Sequence, residues 1–159
     1  MLIDKIINNN IVSAIEEDGT EIVVMGRGIG FGVKAGAAIP DTKIEKVFRL
    51  DSQNSLDRFK ELLANLPLEH LQVSAEIINY AKDVLNRRIN ENIYITLTDH
   101  INFAIHRFRQ KIRFSNPLLS EIKTFYKEEY LIGEYAIALI QRKIGVDLPV
   151  DEAGFIALH

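Results

Sequence analysis

Three groups of residues in this 159-residue chain have the side chains and spacing to do chemistry. The first is Met25-Gly26-Arg27-Gly28-Ile29-Gly30-Phe31-Gly32, in which glycines alternate with a cation, an aliphatic side chain and an aromatic ring. A phosphate cradle is a poor fit. The spacing matches neither the dinucleotide fingerprint nor a P-loop, because no Gly-Lys-Ser/Thr follows and the downstream segment is not helical. Two readings stay open. The glycines can supply the special dihedrals of a bulged hairpin, or a thin backbone can present Arg27 and Phe31 outward. A planar guanidinium and an aromatic ring are the groups that stack on unpaired RNA bases. The second group is Asn8-Asn9-Asn10. Its amides can read base edges through paired hydrogen bonds, and Asn is equally an ordinary turn former. The third group is His70, His100, His106 and His159. Neutral imidazole is a good nucleophile near pH 7 and can accept a phosphoryl group. Asp99 precedes His100, but adjacent helical residues point about 100° apart, so Asp99 is no automatic partner for that ring. His100 and His106 do not share a helical face, which argues against a shared metal, and no nucleophile elbow supports a hydrolytic triad. Each histidine can equally be a surface or core residue without chemistry.

Two textures of sequence must position these groups, and they change near residue 55. Up to Leu50 the apolar residues come in short runs rich in Ile and Val, separated by turn signals. Leu2–Ile7 reads as a strand ended by the three asparagines, Ile11–Ile15 as a second, and Glu21–Met25 as a third. Asp18-Gly19 predicts a tight hairpin between the second and third strands, with both central residues at φ > 0. Gly26 to Gly36 breaks regular structure, and alternation from Ile44 to Leu50 predicts a fourth strand. After residue 55 the period becomes helical. Leu56 to Leu63 predicts a short helix leading to Pro67. Val73 to Leu85, with Ser74 as a candidate cap, predicts the next, and Ile93 to Phe108 another. Further helices are predicted from about Pro117 to Tyr130 and from about Gly133 to Ile144. Gly145 closes the latter, and a last helix follows Pro149 through Phe155 and Leu158.

The reading is α+β: a small antiparallel β domain at 1–56, a linker helix at 57–66 and an all-α bundle at 67–159. About 50 residues is marginal for an independent β core. A small sheet with apolar residues on both faces needs a partner, and homodimerisation is the economical answer.

Composition narrows the function classes. Hydrophobic residues are 47% and charged residues 26%, as in an ordinary globular protein. With no cysteine, thiolate metal sites, thiol nucleophiles and disulfides are impossible, which fits a reducing cytoplasm. No apolar run approaches the roughly 18 residues of a membrane span, and the first ten residues are too interrupted for a secretory signal. Net charge is −3, and residues 1–56 hold 6 basic against 8 acidic residues. Bulk electrostatics therefore cannot drive nucleic-acid binding, and any such contact rests on a few placed residues.

Against that background, Lys5-Ile6-Ile7-Asn8-Asn9-Asn10, Val24-Met25-Gly26-Arg27-Gly28-Ile29-Gly30-Phe31 and Ile44-Glu45-Lys46-Val47-Phe48 resemble the RNA-binding co-antiterminator domain of the BglG/SacY family of transcriptional antiterminators. Glu76 to Ala81, Leu97 to Ile105 and Asp151 to His159 resemble the first phosphotransferase-system (PTS) regulation domain of the same family, nearest its LicT-like members. The resemblance runs in order along nearly the whole chain. It implies a dimeric β domain that binds a bulged RNA hairpin in the nascent mRNA leader and prevents a terminator from forming. The residues matching the family's RNA-contacting positions are Lys5, Asn10, Gly26, Arg27 and Phe31. The matching phosphorylatable histidines are His100 and His159, whereas His70 and His106 fall outside the family's histidine motifs. The resemblance further implies a cytoplasmic, homodimeric regulator that is not an enzyme and needs no cofactor or metal. Its phosphoryl donors would be a PTS sugar permease (Enzyme II) and the phosphocarrier HPr. Family members carry a second regulation domain, so the chain is expected to be a piece of a longer protein. The competing class is a stand-alone phosphocarrier or phosphorelay domain, for which the sequence supplies neither an onward acceptor nor an acidic magnesium cluster.

Overall fold

The computed structural model describes residues 1–86, 89–90, 92–112 and 115–158. The chain divides into two units, Met1–Leu68 and Glu69–His159. The order of elements is β1 (Leu2–Asn8), β2 (Ile11–Ile15), β3 (Glu21–Met25), β4 (Lys46–Phe48), α1 (Gln53–Ala64), α2 (Leu68–Leu85), α3 (Ile93–Arg109), α4 (Leu119–Phe125), α5 (Lys127–Ile144) and α6 (Val150–Ala157). This is the α+β arrangement expected, strands first and helices after.

In the first unit the sheet is a meander, β1-β2-β3-β4, with every neighbour antiparallel. Asn9 and Asn10 make the β1–β2 turn, with Asn8 paired to Ile11. The β2–β3 turn differs from the expected form. Gly19 is left-handed at φ 87°, but Asp18 is not among the positive-φ residues. Gly19 N–H donates to the Glu16 carbonyl at 2.9 Å, and Glu16 N–H to the Thr20 carbonyl at 2.9 Å. The loop is thus a type I turn followed by a left-handed glycine, and the Asp18 side chain braces it by accepting from Thr20 N–H at 2.9 Å. The fourth strand is shorter than the alternation predicted, Lys46–Phe48 alone.

β2 and β3 are buried on both faces, and the chain itself supplies both covers. On one face, Ile3, Val12, Ala14, Ile22 and Val24 pack with Ile29, Val33, Ile39 and Ile44 from the long β3–β4 connection. On the other, α1 buries Leu56, Phe59 and Leu63, and the Phe59 ring stands edge-on to Phe48 at 5.1 Å. Ser52 caps α1 by accepting from Ser55 N–H at 3.1 Å. Lys60 ties the helix to β3 through Glu21 at 2.6 Å. The size of the sheet is therefore no reason for a dimer, because its apolar faces are satisfied within the unit.

Among the helices after α1, two breaks depart from the predicted ones. α2 starts at Leu68, directly after Pro67, so Ser74 is inside the helix; its hydroxyl donates to the His70 carbonyl at 2.9 Å. The expected break near Gly133 lies instead at Tyr126, which leaves helical geometry with φ −125° and ψ 55°. Gly133 is within α5 for a packing reason. A Cβ there would sit 2.1 Å from the Ala153 carbonyl oxygen of α6, so only glycine lets the two helices approach this closely. Gly145 does close α5, left-handed at φ 80°, with its N–H on the Gln141 carbonyl at 3.0 Å.

Candidate functional site

The glycine-rich segment after β3 is neither a simple hairpin nor a free loop. It is laced to the β1–β2 turn. Gly26 N–H donates to the Asn10 carbonyl at 2.9 Å and Gly30 N–H to the Asn9 carbonyl at 2.8 Å. Gly28 N–H donates to the Asn10 side-chain oxygen at 2.9 Å. The turn is itself held by Asn8, whose Oδ1 accepts from Asn10 N–H at 2.8 Å and whose Nδ2 donates to the Leu63 carbonyl at 3.2 Å. Two glycines are required by proximity. A Cβ on Gly26 would lie 1.8 Å from the Lys43 carbonyl oxygen, and one on Gly30 would lie 2.3 Å from that of Asn8. Successive turns, Ile29 N–H to Gly26 and Phe31 N–H to Gly28, both at 3.1 Å, then drive Ile29 into the core and leave Phe31 outside. The Phe31 ring is 70% exposed, and Arg27, four residues earlier on the same loop, is exposed as well.

Four of the five residues expected at an RNA interface, Asn10, Gly26, Arg27 and Phe31, therefore share one patch. Lys5 is exposed on β1, one residue before Ile6, whose side chain lies under Gly30. The residues differ in what they can offer a ligand. Gly26 is buried and its N–H is used internally, so it spaces the loop. Asn10 spends its side-chain oxygen on the loop. Arg27, Phe31 and Lys5 present side chains outward. An exposed ring on a backbone pinned by hydrogen bonds is a preorganised stacking platform, since little freedom is left to lose on binding. Asn8, which builds the platform, was not singled out from the other asparagines by sequence. Only its position opposite Leu63 distinguishes it.

In the second unit His100 lies on α3, half-buried, and its ring nitrogen Nε2 faces the Glu152 carboxylate of α6 at 3.4 Å. The other oxygen of Glu152 accepts from the Arg107 guanidinium at 2.5 Å. Arg107 is two helical turns beyond His100 on the same face of α3. Glu152 is 4% exposed, so its charge is balanced by Arg107 rather than by water. The Phe155 ring, one turn further along α6, packs 6.3 Å from the imidazole. Asp99, the acidic neighbour in sequence, points to solvent; the carboxylate beside His100 comes from 52 positions away. Neither Glu152 nor Arg107 was found by sequence reasoning. The available signal was the acidic pair Asp151-Glu152 at the head of the apolar stretch Ala153–Leu158.

His159, the second histidine expected to take phosphate, lies outside the described residues. His106 is exposed at the end of α3. His70 is buried, and its Nδ1 lies 2.9 Å from the Asn102 side-chain oxygen. Burial pushes its pKa below the ordinary histidine value, against the hydrogen bond to Asn102, which favours the charged form. No described helix is long and apolar enough to cross a membrane.

Two family models match successive parts of the chain. Residues 1–57 match the CAT RNA binding domain and residues 75–159 match the PRD domain. The transcription antiterminator LicT of Bacillus subtilis (strain 168) is 50% identical over 159 residues, covering 100% of this chain and 57% of the relative. The beta-glucoside operon antiterminator of Dickeya chrysanthemi is 45% identical, covering 100% of this chain and 56% of that protein. The chain thus spans little more than half the length of these curated relatives. Among solved structures, the crystal structure of GlcT CAT-PRDI superposes with a TM-score of 0.86 at 39% identity, covering 99% of this chain and 94% of that one.

Proposed function

This chain belongs to the family that joins a CAT RNA-binding domain to a PRD domain, and on that premise we propose that it is the RNA-binding and first regulatory part of a transcription antiterminator. In this reading the patch of Lys5, Asn10, Arg27 and Phe31, spaced by Gly26, binds a bulged hairpin in a nascent mRNA leader and prevents a terminator from forming. The observation that carries it is the exposed Phe31 ring and the exposed Arg27 on one loop pinned to the Asn8–Asn10 turn. RNA recognised through unpaired bases calls for such a stacking group on a fixed backbone. Residues 1–56 carry the RNA site, 57–66 lead to the regulatory residues 67–159 and, through α1, also cover the sheet that bears the site. The regulatory input is phosphorylation of His100 and His159 by a sugar permease of the phosphotransferase system or by the phosphocarrier HPr. The protein acts in the cytoplasm, as a homodimer, and without enzymatic turnover. Dimerisation follows from the family resemblance and not from unburied sheet faces.

The test is a mobility shift of a bulged RNA hairpin by the purified chain. Binding that disappears in Arg27→Ala while the circular dichroism spectrum is unchanged supports the reading. A folded chain that leaves the hairpin unshifted at micromolar concentration defeats it. Terminator read-through in a purified transcription reaction links binding to antitermination.

A further inference from the structure

We propose that Glu152 and Arg107 form a latch over His100 that has to open before the histidine can take a phosphoryl group, and that phosphorylation in turn unfastens α6 from α3. The proposal rests on the reading of His100 as a phosphoacceptor and adds the device that controls it.

The geometry blocks Nε2 in two ways. First, both Nε2 of His100 and the Glu152 oxygen that faces it are buried, so a phosphoryl group on Nε2 would occupy the space this carboxylate fills. Second, a carboxylate is an acceptor only. At 3.4 Å and outside hydrogen-bond geometry, its charge still stabilises a proton on Nε2 rather than on Nδ1, and a protonated Nε2 has no lone pair with which to attack. Glu152 is held in this blocking position by Arg107 through a short charge-assisted hydrogen bond, at 2.5 Å.

The same parts fit the modified state. A phosphoryl group brings nearly two negative charges, which a buried carboxylate 3.4 Å from the acceptor nitrogen cannot tolerate. Room for Glu152 to move exists in a cavity of about 650 Å³ that it helps to line. Arg107, Arg109, Lys111 and Asp147 line it too, so a displaced carboxylate meets three cations there. Arg107, on the face of α3 that carries His100, then exchanges a carboxylate for a phosphate, for which the guanidinium fork is equally suited. α6 loses its ionic tie to α3 and keeps its other anchors, Asp151 to Asn116 N–H at 2.7 Å and Ala153 against Gly133. The latch is therefore bistable: one cation, two competing anions, and a helix whose docking depends on which anion is held.

Potassium phosphoramidate, a small donor that needs no protein partner, tests this. In the reactive tautomer the Nε2 lone pair forms the N–P bond, the donor's P–N bond breaks, ammonia leaves with its protons, and the ring keeps its proton on Nδ1. Acid-labile label at each histidine is followed by peptide mass spectrometry. Glu152→Gln is expected to label His100 roughly tenfold faster than wild type, the order gained when one charge-assisted hydrogen bond no longer has to be broken. Buried His70 is the internal control and should label no faster. A parallel rise at His70 means general loosening, and an unchanged rate at His100 means no latch; either result overturns the proposal. Arg107→Lys, which keeps a cation, should stay close to the wild-type rate, and a rise matching Glu152→Gln would show that charge on residue 107 does not hold the latch. Independently of any variant, amide hydrogen exchange across residues 150–157 of the wild-type chain should speed up on phosphorylation, and unchanged protection would refute the release of α6. If His106 labels while His100 stays unlabelled in both proteins, the phosphoacceptor reading itself fails, and the latch with it.

Discussion

Phe31→Ala separates a binding ring from a structural one. The ring is 70% exposed, so its truncation removes little buried surface and should cost the fold less than about 1 kcal/mol. The loop beneath it is held by backbone and asparagine hydrogen bonds that the substitution does not touch, from Gly26, Gly28 and Gly30 to Asn9 and Asn10. The melting temperature should therefore move by no more than about 2–4 °C. Binding behaves differently. Loss of one aromatic platform under an unpaired base costs about 1–3 kcal/mol, which is roughly a 5- to 150-fold rise in Kd. Fluorescence anisotropy with a labelled bulged hairpin at fixed salt measures the second quantity, and thermal unfolding of the same sample measures the first. A Kd within twofold of wild type would show that Phe31 does not stack on RNA. A large fall in melting temperature with proportionate loss of binding would show that the ring supports the loop instead.

Gly133→Ala should destabilise the helical unit by about 1–3 kcal/mol, because the clash with the Ala153 carbonyl at 2.1 Å outweighs the better helix propensity of alanine; a raised urea midpoint would contradict this. His70 is held neutral by burial and so has a lowered pKa, while in the unfolded chain it protonates near its ordinary value of about 6.5. The unfolded state then binds the extra proton, so stability is complete above that pH and falls as the solution is acidified through it. Urea unfolding at pH 7.5 and 5.0 should show this loss in wild type and a smaller one in His70→Asn; equal losses would assign the effect elsewhere. RNA affinity should depend weakly on salt, because residues 1–56 hold 6 basic against 8 acidic residues. A slope of log K against log salt of about −5 or steeper would show that phosphate contacts dominate instead.

What the sequence alone determined is what depends on neighbours in the chain. The strands up to Met25, the helical period after residue 55, the left-handed cap at Gly145 and the unusual glycine-rich run all follow from residue types within a few positions of each other. Arg27 and Phe31 stood out in the same way as possible stacking groups, whereas Lys5, Asn10 and Gly26 were picked out by the family resemblance alone. Tertiary structure decided the rest. By local rules Gly133 reads as the start of a helix after a break, yet it is within α5 because another helix needs the space a Cβ would fill. The sheet looked too small to stand alone until the β3–β4 connection and α1 covered its two faces. Sequence could say only that adjacent Asp99 is no automatic partner for His100; the acid in place is Glu152, delivered by α6 and held by Arg107. Local periodicity records which face of an element is apolar. It carries no information on which distant element packs against that face, and the pairing of charges inside a protein is set by that packing.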